Sequence, residues 1–331
     1  MNWKKVSLNA VKYLLFLAVG IFIFWLVYKD LEVEKLTSEL QDLRWGWIVL
    51  SFFLGMFSHV SRAYRWNMLI KPMGYRPAAL NSFLSIMVMY FTNLLLPRAG
   101  EVARCTVLSK YEKIPFSKLL GTVIVERTTD VLALAVFATL IIIHQFDIFS
   151  RFMNNHPEFQ ERFIQLLSMK NIFIFIGILV FLVIIFYVFR SSLRKTKIYV
   201  KIRDLIRNFV DGIKTIRKLE KTWLYIAHTV FIYFMLLVML YVVFFSFEPT
   251  EDLSIFAGML AFVTSGLAMI APVQAGIGPW HFMVIETLFL YGLDRTNGQI
   301  FALIAHSATN LSLMVMGIIS LALLPLINKN K

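Results

Sequence analysis

Apolar runs recur along the chain at residues 11–28, 45–64, 79–96, 119–143, 172–189, 223–247, 253–270 and 300–327, separated by short polar stretches. Runs of roughly 20 residues predict helices that cross a bilayer, and the chain lacks the alternation in ~10-residue units that marks a membrane barrel. The run at 79–96 has Lys and Arg on both flanks, so the simplest path goes in and returns. That predicts a re-entrant hairpin opening from the inner side and broken at Pro97 and Gly100, since irregular backbone at that depth must line a cavity or be buried in protein. A second break at residues 271–279, with Pro272 and Pro279 at its ends, predicts a second hairpin that opens from outside.

The pattern therefore predicts an all-α polytopic membrane protein with about six full spans plus two re-entrant helical hairpins. It reads as a single membrane domain over residues 1–331, a first half at about 1–145 and a second at about 170–331. Each half runs span, span, hairpin, span, so the second is inverted relative to the first. Both breaks carry Pro, one or two residues, then Ala-Gly: Pro97-Arg98-Ala99-Gly100 and Pro272-Val273-Gln274-Ala275-Gly276. Inverted repeats with discontinuous helices are a feature of alternating-access transporters. The plainer alternative is that Pro and Gly only kink two ordinary spans.

Composition agrees with the pattern. The residues are 59% hydrophobic and the mean hydropathy is +0.72, beyond what a soluble core of 331 residues requires. A net charge of +13 invites a nucleic-acid reading, but Lys and Arg crowd into residues 190–221 between two spans. Such a loop reads as the positive-inside signal, with an amphipathic helix on anionic inner-leaflet lipid and no nucleic-acid partner. Lys/Arg placement puts both termini inside a cytoplasmic (inner) membrane. Cys105 is the only cysteine, which excludes a disulfide framework and a thiolate metal site. Neither a metal nor a cofactor is expected, and no metalloprotease, phosphate-loop or nucleophile-elbow motif occurs.

The candidate chemistry lies where charge interrupts the apolar pattern. Arg98, Glu101 and Arg104 are three apart and would form one ladder if a helix starts at Pro97, its N-terminus and two guanidinium forks suiting a phosphate. A snorkelling ladder at the interface is the alternative. Glu126, Arg127 and Asp130 share a span, and ionisable groups there default to a functional hypothesis against structural pairing. In the matching span of the second half, His306 and Asn310 face together, as substrate contacts or as an interhelical hydrogen bond. His281 and Glu286 follow the second break, where Gly276 and Gly278 would line a binding cavity and His281 could carry a coupled proton. Arg62 and Arg65, in S-R-A-Y-R-W, read as the end of the second span, either an interfacial anchor or a place where a headgroup is admitted.

Taken together, R-x-x-R-W at residues 62–66, L-P-R-A-G-E-x-x-R at 96–104, E-R-x-x-D at 126–130 and the late P-x-x-A-G-I-G resemble the lysylphosphatidylglycerol synthase transmembrane-region family, whose members are flippase-like membrane proteins. In larger relatives this unit is joined to a cytosolic aminoacyl-transferase domain. The resemblance implies a lipid-translocating unit without that domain, with Arg98, Glu101, Arg104, Glu126, Arg127 and Asp130 as its polar centre. Many relatives carry a carboxylate soon after the late glycines, where this chain has Pro279, Trp280 and His281. The expectation is a translocase, not an enzyme, for an anionic, aminoacylated or polyprenyl-linked lipid. The alternatives are a membrane module partnering a lipid synthase or glycosyltransferase, an intramembrane lipid-modifying transferase, and an ion-coupled carrier of a small solute.

Overall fold

The computed structural model describes residues 17–29, 31, 33–145, 216, 219–271 and 273–329. The start of the first run, the span at 172–189, nearly all of the basic loop with its amphipathic helix, and Pro272 lie outside the described residues. Those described are all-helical: α1 (Leu17–Tyr28), α2 (Val33–Gln41), α3 (Trp45–Ile70), α4 (Ala79–Leu95), α5 (Gly100–Glu112), α6 (Phe116–His144), α7 (Thr222–Phe244), α8 (Ile255–Ala268), α9 (Pro279–Leu290) and α10 (Arg295–Ile327).

Two of these, α7 and α10, are long and apolar enough to cross a membrane, and α2 with α3 makes a third candidate span bent by 80°. Helix α6 has 29 residues but carries Glu126, Arg127 and Asp130 in its middle. The polarity of the long helices is reversed relative to a soluble bundle. On α3 the buried positions include Ser51, Ser58, His59, Ser61, Arg62 and Arg65, whereas Val49, Phe53, Phe57, Val60 and Tyr64 are exposed. Helix α7 likewise presents Trp223, Ile226, Val230, Phe231 and Phe234 outward. Small and polar residues between helices with large apolar ones outside is the arrangement that lipid, as the surrounding solvent, selects. The chain is a multi-pass helical membrane protein.

Helix α3 packs along α7 at the centre, α4 packs along α10, and α8 against α6. The arms of each hairpin pack on each other, α4 on α5 and α8 on α9, and each returning arm leans on the helix that follows, α5 on α6 and α9 on α10. Two main apolar clusters result. One joins α3, α4, α5 and α6 through Trp66, Ile86, Met87, Cys105 and Leu108; the other joins α7, α8, α9 and α10 through Phe244, Ala261, Leu288 and Phe301.

Both breaks fall where proline and glycine place them. Helix α4 stops at Leu95, Arg98 takes a left-handed φ of 64°, and α5 starts at Gly100, whose N–H donates to Asn93 Oδ1 at 2.8 Å. A Cβ on Gly100 would strike the Met89 carbonyl and the Asn93 side chain, so the two arms close only over glycine. At the second break α8 ends at Ala268, a 3₁₀ turn spans Gln274–Gly276, and α9 starts at Pro279, where a missing N–H costs nothing. Gly278 has φ 90°, and a Cβ there would stand 2.7 Å from the Gly20 carbonyl of α1. Helix α1 thus packs on the second break.

Candidate functional site

Four helices converge on one buried ionic centre. From α6 come Glu126, fully buried, and Asp130 one turn later. From α3 come Arg62 and Arg65, 5% and 0% exposed. Arg62 Nη1 donates to Glu126 Oε1 at 3.0 Å and to Asp130 Oδ2 at 2.9 Å; Arg65 Nη2 donates to Asp130 Oδ1 at 2.7 Å and reaches Glu126 Oε1 at 3.4 Å. From α5 comes Arg104, also fully buried, with Nη2 2.8 Å from Glu126 Oε2. Helix α7 closes the fourth side: Thr229 Oγ1 accepts from Arg65 at 3.1 Å and the Tyr233 hydroxyl donates to the Asp130 carbonyl at 2.7 Å.

The spacing explains the convergence. On α3, His59, Arg62, Arg65 and Trp66 recur at three and four residues and share one face; on α6, Thr122, Glu126 and Asp130 do the same. Trp66 ties the two faces together, its Nε1–H donating to Thr122 Oγ1 at 2.8 Å while the Arg104 guanidinium lies 4.6 Å from its ring centroid. Tyr225 bonds Thr129 at 2.9 Å and lies under Arg65.

The centre is overcharged. Arg62, Arg65, Arg104 and Arg127 surround Glu126 and Asp130, and partly exposed Arg127 stands only 3.8–4.0 Å from its partners Glu101, Glu126 and Asp130. Even counting Glu101, one positive charge remains. Arg104 carries that excess most clearly: its Nη2 approaches Glu126 off the line a hydrogen bond needs, and its Nε and Nη1 find no protein acceptor. Arg62 Nε and Arg65 Nε are also unpartnered and buried. A buried guanidinium without acceptors is costly in an apolar surround. An anion with several oxygens satisfies those donors and cancels the excess charge.

Several sequence expectations change here. Arg62 and Arg65 are not at a span end: α3 continues to Ile70, and both are internal to the centre. Arg98 is not on a ladder with Arg104, because the helix begins two residues after it; the exposed Arg98 instead donates to the Ile270 carbonyl of the second break at 3.3 Å. Gly100 serves arm packing, and its leading N–H is taken by Asn93, so the N-terminus of α5 presents no free phosphate cradle at that position. Glu101 sits at the margin of the centre, and Arg104, Glu126, Arg127 and Asp130 come together. Sequence reasoning missed Thr229, Tyr225 and Tyr233 of α7, which no charged motif marks.

The second half holds a different cluster. His281 is buried against Phe24, Tyr28, Trp280 and His306, its ring 4.3 Å from that of His306. His306 Nε2 donates to the Ala275 carbonyl in the break at 2.8 Å, and Asn310 Nδ2 bonds both the His306 carbonyl and its ring. Gly276 packs on Met269 and Gly278 on α1, so both are closure points and not contact points. Pro97 lies in the first turn and Pro279 opens α9. Glu286 is held by Arg295 in a two-pronged pair at 2.6 and 3.0 Å, away from His281. No group of His, Cys, Asp and Glu among the described residues has the geometry to hold a metal ion.

The chain is 31% identical over 146 residues to a UPF0104 membrane protein of Methanocaldococcus jannaschii, a match covering 43% of this chain and 41% of that one. The match therefore spans less than half the length of that relative. No solved structure matches the chain. The family model described as the lysylphosphatidylglycerol synthase TM region matches residues 13–317, which include both breaks and every residue of the ionic centre, and the chain belongs to that family.

Proposed function

We propose that the protein moves an anionic lipid or lipid-linked phosphate between leaflets, with the arginine centre as the headgroup site. One observation carries the reading: fully buried Arg104 presents donors that no protein acceptor satisfies, inside a centre with more guanidiniums than carboxylates. With no headgroup bound, Glu126 and Asp130 hold the arginines together. An arriving phosphate competes for the same forks, and its departure lets the carboxylates return, so the pairs act as exchangeable counter-ions. The aim is passage, which requires binding that is reversible.

The arrangement of helices supports alternating access by two inverted halves. Exchanging the halves, with α3 for α7, α4 for α8, α5 for α9 and α6 for α10, turns each neighbour relation described above into another that also occurs. On this reading there are about six full spans and two hairpins in an inner membrane, both termini lie inside, and the chain is a transporter and not an enzyme. Its partners are the lipid and, through the basic loop, anionic inner-leaflet lipid or a synthase.

The test is leaflet exchange of chain-labelled lipids in proteoliposomes across anionic, aminoacylated and polyprenyl-phosphate headgroups, comparing the unaltered chain with Arg104→Ala and Glu126→Gln. Headgroup-selective exchange that both substitutions abolish is expected. Exchange that survives Arg104→Ala contradicts the reading.

A further inference from the structure

Beside the ionic centre lies a cavity of about 260 Å³ enclosed by residues of both halves. Its apolar lining comes mainly from leucines, methionines and a phenylalanine, and its polar lining from His59, Tyr90, Ser265, Trp280, His306, Thr309 and Asn310. Among the described residues no Asp, Glu, Lys or Arg lines it. The cavity is joined to the centre through α3: His59 precedes Arg62 by one turn, about 5–6 Å between Cβ atoms. Tyr90 packs its ring on His59 at 4.6 Å.

The polar groups have unused capacity. His59 is 5% exposed and its Nδ1 has no partner. Among the described residues no hydrogen bond engages the Tyr90 hydroxyl, the Trp280 Nε1–H or the Asn310 Oδ1, and Ser265 uses only its proton, toward the Phe262 carbonyl. Donors and acceptors are thus mixed around one space without a net charge, which matches hydroxyl groups because each both donates and accepts. The same lining offers an ammonium no counter-charge, and burying one unpaired is costly. Glu286, the carboxylate that follows the second break, is held by Arg295 elsewhere.

We infer that this cavity receives the uncharged, hydroxyl-bearing part of a headgroup, a polyol, while its phosphate sits at the arginine centre, and that it selects against headgroups ending in an ammonium. The inference rests on the phosphate reading of that centre. It separates this chain's cargo from the lysyl lipid in the family's description.

The test compares leaflet exchange of phosphatidate, phosphatidylglycerol and lysyl-phosphatidylglycerol bearing the same labelled chain, in proteoliposomes of the full chain. Phosphatidylglycerol is expected to exchange about tenfold faster than either of the others, the worth of one or two net hydrogen bonds. In Asn310→Ala the ratio of phosphatidylglycerol to phosphatidate should fall toward one. Asn310→Asp, which places a carboxylate in the cavity, should raise lysyl-phosphatidylglycerol relative to phosphatidylglycerol about tenfold. Equal exchange of phosphatidate and phosphatidylglycerol, both lost in Arg104→Ala, overturns the polyol site and leaves the phosphate reading standing. Fastest exchange of the lysyl lipid also overturns it. If none of the three exchanges above empty vesicles, the polyol site falls, and the phosphate reading falls with it unless a polyprenyl phosphate exchanges in an Arg104-dependent way.

Discussion

A polar cluster stands beside each of the two helix breaks, and the two clusters hold opposite chemistry. In the first, the helix after the break supplies Arg104 and the long helix that follows supplies Glu126 and Asp130 four residues apart; in the second, the corresponding helices supply His281 and then His306 and Asn310 four residues apart. The first centre is ionic, with unsatisfied guanidinium donors, whereas the second is neutral: His306 bonds the Ala275 carbonyl and Asn310 bonds His306, while His281 Nε2 is left unpartnered. A pair of polar residues one turn apart therefore does not by itself make an anion site. On the proposed reading, excess guanidinium does.

The comparison breaks most visibly at Glu126. Glu126→Gln leaves Arg62 and Arg65 with Asp130 alone and takes from Arg104 the carboxylate it faces, and losing one member of such a buried network should cost about 3–5 kcal/mol in detergent unfolding. Phosphatidate should restore much of that loss by binding the folded form. Arg104→Gln should cost less, about 1–2 kcal/mol, because Glu126 keeps Arg62 and Arg65. If the two substitutions cost the same, the centre is a balanced structural cluster and not an overcharged site.

In the neutral half, His306→Ala removes the hydrogen bond to Ala275 and the ring contact with Trp280 at 5.0 Å. The expected cost is about 1–3 kcal/mol by thermal unfolding, with anionic-lipid binding affected less than in Arg104→Gln. Trp66→Phe keeps an aromatic ring but loses the donor to Thr122 and some buried volume, which should cost about 1–3 kcal/mol. The smallest effect is expected at the exposed pair of Lys71 and Glu220. The hydrogen bond from Lys71 holds the exposed Glu220 carboxyl below its ordinary value. Its contribution is present above the unfolded-state value and is lost as pH falls through the lowered folded-state one. Glu220→Gln should leave the melting temperature unchanged within error at neutral pH, because exposed pairs contribute little.

Much of this was legible in the sequence wherever local chemistry decides the structure. Pro97, Gly100 and Pro279 broke helices where expected, because their backbone limits hold in any solvent. Glu126 and Asp130 stood out because carboxylates inside an apolar run need partners. The partners themselves were misread. Hydropathy places Arg62 and Arg65 at a span end, since it weighs each residue against lipid and not against a carboxylate 65 residues away. Arg98 was grouped with Arg104 because the start of α5 depends on Asn93 taking the Gly100 N–H, a contact between the hairpin's two arms. The roles of His59, Tyr90, Thr229 and Tyr233 rest on packing of α3 against α4 and α7, which no local spacing encodes.

The central claim is that Arg104 is held ready for a phosphate oxygen. Native mass spectrometry of the full chain in detergent, titrated with a phosphatidate of one chain length, tests it most directly when the unaltered protein is compared with Arg104→Gln and with Arg44→Gln at the exposed Glu251 pair. The account predicts one tightly retained phosphatidate in the unaltered chain and in Arg44→Gln, and at least a tenfold weaker affinity in Arg104→Gln, as for loss of a charge-assisted hydrogen bond. Equal retention by all three would contradict it.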